Sequence, residues 1–142
     1  MLHSRQGSIY RVVLACFIGL AFCFALSWPQ YSKYQNVRHL SKAEQLGRAI
    51  AFAEESYKQV HGNYTPQFGE LDLSLPCPLV DRGQGTQLEC PHYVYQLDNT
   101  GVLKVTHKQL PVWLDIDIAA GTVSCKHAEN DWAGQDLCAR MQ

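Results

Sequence analysis

The sequence predicts an α+β fold in which a long N-terminal helix packs against a small antiparallel β-sheet and disulfides close two loops. Three observations support this prediction. An apolar run covers residues 12–28, an apolar stripe with helical spacing covers residues 37–61, and short alternating segments separated by turns follow residue 91. Beyond the first of these, about 110 residues remain, enough for one modest core and therefore one soluble domain.

The apolar run is the first element. Its seventeen residues carry no charge, and with Ile9 and Tyr10 they make a helix of about 20 residues, which covers the ~30 Å of a bilayer core. The run by itself leaves open a secretory signal peptide ending near Ala25-Leu26-Ser27 or a plain signal anchor. Flanking charge does not select an orientation, because basic residues stand on both sides: Arg5, Arg11, Lys33, Arg38 and Lys42.

The second element is an amphipathic helix. Its apolar residues recur at steps of three or four, which predicts one buried face. Gly62-Asn63 follows, a pair that tolerates the left-handed conformation in which helices commonly end. The stripe consists of Leu40, Ala43, Leu46, Ile50, Ala53, Tyr57 and Val60.

Composition and cysteines limit the class of protein. Twelve basic and thirteen acidic residues give a net charge of −1, without the basic face that nucleic-acid binding requires. Two of the six cysteines, Cys16 and Cys23, lie in the apolar run. The other four suit two disulfides in an oxidising compartment, with three possible pairings. The pairing of sequence neighbours would join Cys77 to Cys90 and Cys125 to Cys138, each bridge stabilising the fold by roughly 3 kcal/mol.

Residues 65–91 show no clear period and contain four prolines, so we predict a long loop closed by Cys77 and Cys90. Strands follow at residues 92–97, 102–106, 112–118 and 122–125. Short turns between them predict an antiparallel meander, whose apolar face needs the helical stripe as its partner. In the third strand, one face carries Val112, Leu114, Ile116 and Ile118, and the other carries Trp113, Asp115 and Asp117.

The N-terminal residues follow a specific order: a short basic leader ends at Gly7, about 21 mostly apolar residues follow, and Pro29-Gln30-Tyr31 comes next. This order resembles that of type IV prepilins and type II secretion pseudopilins. In that family a membrane peptidase cuts after the leader glycine and the new N-terminus, here Ser8, is methylated. Counted from Ser8, Pro29 is the twenty-second residue, the position at which the family tends to place a proline.

The chain departs from the family pattern near the cleavage site. The family places a glutamate at the fifth mature position, where it pairs with the N-terminal ammonium of a neighbouring subunit. This chain has Val12 there and Arg11 before it. A cation without a partner is costly in the membrane, so we expect an atypical subunit, with Arg11, Val12, Gly19 and Pro29 in the filament-core helix.

The resemblance extends over essentially the whole chain. Residues 46–58, with Gly62-Asn63-Tyr64 and the step Phe68-Gly69-Glu70-Leu71-Asp72, are similar to the pilin segment where the long helix ends. The tail is similar to the disulfide-bounded C-terminal loop of type IVa pilins, which implies a Cys125–Cys138 bridge. The implied division is a leader at 1–7, a transmembrane or filament-core helix at 8–28, the amphipathic half of that helix at 29–61, an αβ-loop at 62–91, and the sheet with its C-terminal loop at 92–142.

The function implied by this resemblance is that of a structural subunit of a type IV pilus or pilus-like filament, a minor or atypical pilin, with no enzymatic activity and no cofactor. It would be inserted in the inner membrane of a Gram-negative bacterium with its globular domain in the periplasm, and would enter a surface pilus or a periplasmic pseudopilus after assembly. The implied partners are other pilin subunits through the N-terminal helix, the prepilin peptidase and the inner-membrane assembly platform; no nucleic acid is expected. A type II secretion pseudopilin is the alternative, and a periplasmic binding or enzymatic domain with an ordinary signal peptide or anchor is a further one.

Other chemistry is not expected. Asp115 and Asp117 point to one strand face, but such a face is usually solvated. Calcium is an option for the tail loop, where Glu129, Asp131 and Asp136 would supply oxygen ligands; because a disulfide would already restrain this loop, we predict no metal.

Overall fold

The computed structural model describes residues 3–83 and 85–141, with side chains in the first helix from Tyr10 onward. Helix α1 spans His3–His61, followed by a single 3-10 turn at Phe68–Glu70. Six strands and a short helix complete the chain: β1 Leu79–Asp81, β2 Thr86–Glu89, β3 Tyr93–Leu97, β4 Val102–His107, β5 Val112–Asp117, β6 Thr122–His127 and α2 Trp132–Ala139. The chain divides into two compact units, Met1–Asn36 (the first unit) and Val37–Gln142 (the second unit).

The sheet is an antiparallel meander in which each strand pairs with the next, in the order β1 to β6. Glycines make two of its tight turns, because Gly101 (φ 87°) and Gly121 (φ 65°) adopt the left-handed conformation that other residues avoid. The predicted alternation of β5 is confirmed, with Val112, Leu114 and Ile116 fully buried. An α+β fold with a long helix, an antiparallel sheet and two disulfides is therefore what the chain forms.

The core of the second unit lies between its part of α1 and one face of the sheet. The helix contributes Leu40, Ala43 and Ile50, and the sheet contributes Leu103, Val105, Leu114 and Ile116, all of them fully buried or nearly so. Gly47 permits close approach, because a Cβ atom added there would lie 2.5 Å from Cδ1 of Ile116. The Tyr95 hydroxyl also donates to the carbonyl of Ala43 at 3.4 Å.

The prediction for the end of the helical stripe is wrong at Val60, which is 79 % exposed. Val60 follows Phe52 and Ser56 at steps of four, and this row of the helix faces solvent. The buried face instead includes Glu54, whose side chain has no exposed surface. Glu54, a polar residue, is therefore part of the core, although the apolar pattern predicts its neighbour Ala53 for the buried face.

The prediction of an uninterrupted loop over residues 65–91 is also wrong, since β1 and β2 lie within it. They have three and four residues, and only Leu88 is fully buried. The two strands are therefore too short to show an alternation of apolar and polar residues in the sequence. The tail loop likewise contains α2, whose first turn is capped by the Asp131 carboxylate accepting from the backbone N–H of Gly134 at 3.0 Å.

The two disulfides join sequence neighbours, Cys77 to Cys90 and Cys125 to Cys138, with Cα atoms 5.1 and 5.4 Å apart. The first ties the segment before β1 to the end of β2. The second ties β6 to the last turn of α2. Because α2 has only eight residues, this bridge helps to hold it against β6.

Candidate functional site

The most unusual surface of the molecule is the part of α1 in the first unit. Every side chain from residue 10 to residue 34 is exposed. The large apolar ones have exposed fractions between 47 % for Val13 and 73 % for Tyr10. Monomeric soluble proteins rarely leave a continuous apolar surface of this extent in water, and such surfaces mark contact with a membrane or another protein.

This segment also has the length and composition of a membrane span. An 18-residue window within it has a mean hydropathy of 2.2, and none of that window is buried. Within the part of the chain that the structure describes, α1 is the one helix with these properties. By length and composition it is suited to anchor the protein in a bilayer.

The two serine hydroxyls of the segment are satisfied within the helix, which suits a bilayer, where no water is present to bond them. The Ser27 hydroxyl donates to the carbonyl of Cys23 at 2.8 Å, and the Ser32 hydroxyl donates to the carbonyl of Pro29 at 3.0 Å. Pro29 lies inside the helix and removes one backbone donor. The helix nevertheless continues through Pro29 without a break.

The predicted site residues of this segment are placed as follows. Gly7 and Ser8 belong to α1 by their backbone, while their side chains lie outside the described residues. Arg11 and Val12 are both exposed, and no atom lies within 4 Å of a Cβ atom added at Gly19. Cys16 and Cys23 are free thiols on the exposed surface, seven residues and thus two turns apart on one side of the helix.

A second candidate is a polar cluster where α1 meets the loop after it. The carboxylate of the buried Glu54 accepts from the backbone N–H of Thr65 through Oε1, while its Oε2 has no partner. The Glu70 carboxylate accepts from the hydroxyls of Thr65 at 2.6 Å and Tyr57 at 3.0 Å. The cluster therefore fixes the step Phe68-Gly69-Glu70 against the helix.

The two carboxyls of this cluster differ in their electrostatics. Burial raises the pKa of Glu54, partly opposed by the hydrogen bond from Thr65, and the neighbouring charge of Glu70 raises it further. The hydrogen bonds from Thr65 and Tyr57 lower the pKa of Glu70. The hydroxyls of Tyr57 and Thr65 and the main-chain amide of Thr65 bind the two carboxylates, so the cluster connects the helix to the loop that follows it.

The structure does not bring the candidate metal and acid residues together. Asp131 caps α2, and Asp136 pairs with Arg140 at 3.4 Å. Among residues 3–83 and 85–141, no three His, Cys, Asp or Glu side chains are grouped to hold a metal ion.

The two aspartates of β5 have structural roles. Asp115 forms an ion pair with Lys126 at 2.6 Å, and Asp117 accepts from the backbone N–H of Ala120 at 2.9 Å in the turn that follows. Both carboxylates are therefore engaged in holding β5 to β6. Trp132, the first residue of α2, has 73 % of its surface in solvent.

Compared with known proteins, the chain matches no family model, no curated protein and no solved structure. A function must therefore be argued from the chain's own residues.

Proposed function

We propose that this protein is a structural subunit of a type IV pilus or a pilus-like filament, held in the bacterial inner membrane before assembly with its sheet-bearing unit in the periplasm. One observation carries the proposal: α1 presents a fully exposed apolar segment of membrane length at residues 10–34, while its later residues build the core of a disulfide-bonded antiparallel sheet. The spacing from Gly7 to Pro29, which resembles that of prepilins, supports it.

The exposed segment suits both states that the proposal requires, the subunit in the membrane and the subunit in the filament. In the bilayer its apolar side chains are solvated by lipid tails, and its hydroxyls bond within the helix. In a filament the same side chains would be covered by neighbouring helices, because helix association without water depends on close packing. Repeated head-to-tail contacts that do not close into a ring generate a filament.

The residues near the cleavage site favour a minor or atypical subunit. Val12 stands where the family places its glutamate, and it cannot accept a hydrogen bond from the ammonium of a neighbour. We therefore place this chain at a position where that pairing is not needed, such as the tip of a filament. A type II secretion pseudopilin is the second candidate, and the Cys125–Cys138 bridge favours the pilus because it corresponds to the closed tail of type IVa pilins.

A photo-crosslinking amino acid tests the proposal in membranes of a bacterium that makes type IV pili. Introduced in place of Phe22, which is 66 % exposed in the apolar segment, it should form adducts with the N-terminal helix of another pilin subunit or of a second copy, identified by peptide mass. The matched control replaces Trp132 on α2, which is as exposed but outside the segment. Adducts with phospholipid alone at position 22 would contradict a role as a filament subunit.

A further inference from the structure

Three histidines that are far apart in the sequence meet in the second unit. His39 lies on α1, His92 precedes β3, and His107 ends β4. The rings of His39 and His92 have centroids 4.0 Å apart and planes inclined by 35°. The backbone of His92 accepts from the N–H of Lys108 at 2.9 Å, which places His107 and His92 on adjacent strand ends.

His107 is held in its neutral form by the main chain. It is 7 % exposed, and its Nδ1 accepts from the backbone N–H groups of Gln109 at 3.0 Å and Leu110 at 2.9 Å. The ring meets Tyr93 edge to face at 4.8 Å. A proton on Nδ1 would remove both hydrogen bonds and leave a charge in a nearly dry site.

The charges around the three rings also favour the neutral form of the imidazoles. On α1 the nearest charged groups are Arg38 and Lys42, both cationic, and burial together with His92, Lys42 and Arg38 lowers the pKa of His39. Burial, and then His92 and His39, lowers the pKa of His107. No acidic side chain on α1 is among these neighbours.

The strands offer little negative charge in compensation. Tyr93 and Tyr95, on β3, are neutral phenols, and burial raises the pKa of Tyr95 to about 12. Lys108, at the end of β4, is a further cation, 3.9 Å from Glu89 on β2. Glu89 is also bound by Arg82 at 3.0 Å, so this carboxylate is already shared between two cations.

We propose that His39, His92 and His107 form a proton-operated latch between α1 and the sheet. At neutral pH the ring of His39 packs on that of His92, the buried ring of His107 accepts from the main chain, and these contacts hold residues 37–43 of α1 against the ends of β3 and β4. Below neutral pH, protonation of His39 and His107 places positive charge beside the ring of His92, breaks the main-chain hydrogen bonds to His107 and loosens this end of the second unit. The latch goes beyond the proposed filament function and does not depend on it.

The direction of the effect follows from proton linkage. A histidine whose pKa is lower in the folded state binds its proton less readily there than in the unfolded chain. The stability it supports is present above the unfolded pKa of about 6.5 and is lost as the pH falls below that value.

A metal site is the other use to which clustered imidazoles are put, and the geometry disfavours it. Because Nδ1 of His107 accepts from two N–H groups, its proton is on Nε2, and neither nitrogen is free to bind a metal. That leaves two imidazoles, fewer than a stable site uses.

The test uses the full chain in detergent micelles, with the unfolding of the second unit followed by the near-ultraviolet signal of its aromatic residues. Between about pH 7.5 and pH 5.5 the wild type should lose about 5 °C or more of its melting temperature. His92→Gln, at an exposed position, and His107→Asn, which keeps an acceptor for the two backbone N–H groups, should lose less than half as much. His61→Gln, outside the cluster, should behave as the wild type does.

A local readout keeps the test independent of overall stability. After acidification, amide hydrogen exchange should accelerate in residues 37–43 more than in residues 50–57, after correction for intrinsic rates, and His92→Gln should remove the difference. An equal pH response of His92→Gln and the wild type would overturn the proposal. So would a zinc-dependent rise in melting temperature at neutral pH that His92→Gln abolishes, since that result would identify a metal site.

Discussion

The two parts of α1 share one secondary structure and have opposite surroundings. In the first unit, every side chain of residues 10–34 is exposed, although most of them are apolar. In the second unit, the helix is more polar, yet Leu40, Ala43 and Ile50 are fully buried or nearly so. Helix formation is thus common to both parts, and the difference is the burial of the apolar side chains: they are packed inside the fold in the second unit and exposed in the first.

Matched isoleucines give the largest expected contrast. Ile50→Ala removes a fully buried side chain from the core and should lower the free energy of unfolding of the second unit by about 2–5 kcal/mol. Ile18→Ala, at a position that is 63 % exposed, should change it by less than about 0.5 kcal/mol. Chemical denaturation of both variants in micelles measures the difference. Equal losses would mean that residue 18 belongs to the folded core.

Matched glycines give a smaller contrast. Gly47→Leu should destabilise the second unit by about 1–3 kcal/mol, because its side chain meets Ile116 in a filled core. A Cβ atom added at Gly19 has no atom within 4 Å outside the neighbouring residues of its own helix, so Gly19→Leu should leave the stability of the second unit unchanged. The same denaturation experiment compares them, and a Gly47→Leu variant as stable as the wild type would show that helix and sheet are not in close contact there.

Much of this architecture could be predicted from local patterns. The spacing of Leu40, Ala43 and Ile50 and the alternation of β5 identified the two faces that form the core. The short strands β1 and β2 and the helix α2 left no such pattern, because β1 and β2 bury too few side chains and the eight residues of α2 depend on the Asp131 cap and the Cys125–Cys138 bridge. A pattern of apolar residues predicts a helix or strand only when the element is long enough for the pattern to repeat within it.

The polar clusters were the part that the sequence did not indicate. Glu54 reaches the buried face although it lies beside the apolar stripe, and its partner Thr65 lies in the loop beyond the helix. The meander brings together His39, His92 and His107, and their spacing in the sequence does not predict that they lie near one another. The exposed segment at residues 10–34, in contrast, was visible in composition alone, since its character does not depend on any tertiary contact.

The buried carboxyl gives the smallest expected effect and the one that depends on pH. Because the pKa of Glu54 is raised on folding, the folded state holds this proton more tightly than the unfolded chain. Stability should fall as the pH rises from the unfolded pKa through the folded one, by at most about 1.4 kcal/mol for each pH unit.

Glu54→Gln keeps an acceptor for the backbone N–H of Thr65 and has no charge to bury. Its stability relative to the wild type should therefore increase as the pH rises above about 4.5. Denaturation at a series of pH values measures this difference. A difference that is constant across the series would contradict a raised pKa for Glu54 in the fold.

The N-terminus of the mature chain tests the central claim most directly. We would express the full chain in a bacterium with an active prepilin peptidase, isolate it from membranes and determine its first residue by mass spectrometry, with Gly7→Val as the uncleaved control. The account predicts a chain that begins at Ser8 and retains the whole exposed segment. A first residue near position 28 would indicate an ordinary signal peptide, and an intact Met1 would indicate a plain membrane anchor. Either result would contradict the proposal that the chain is a filament subunit of this kind.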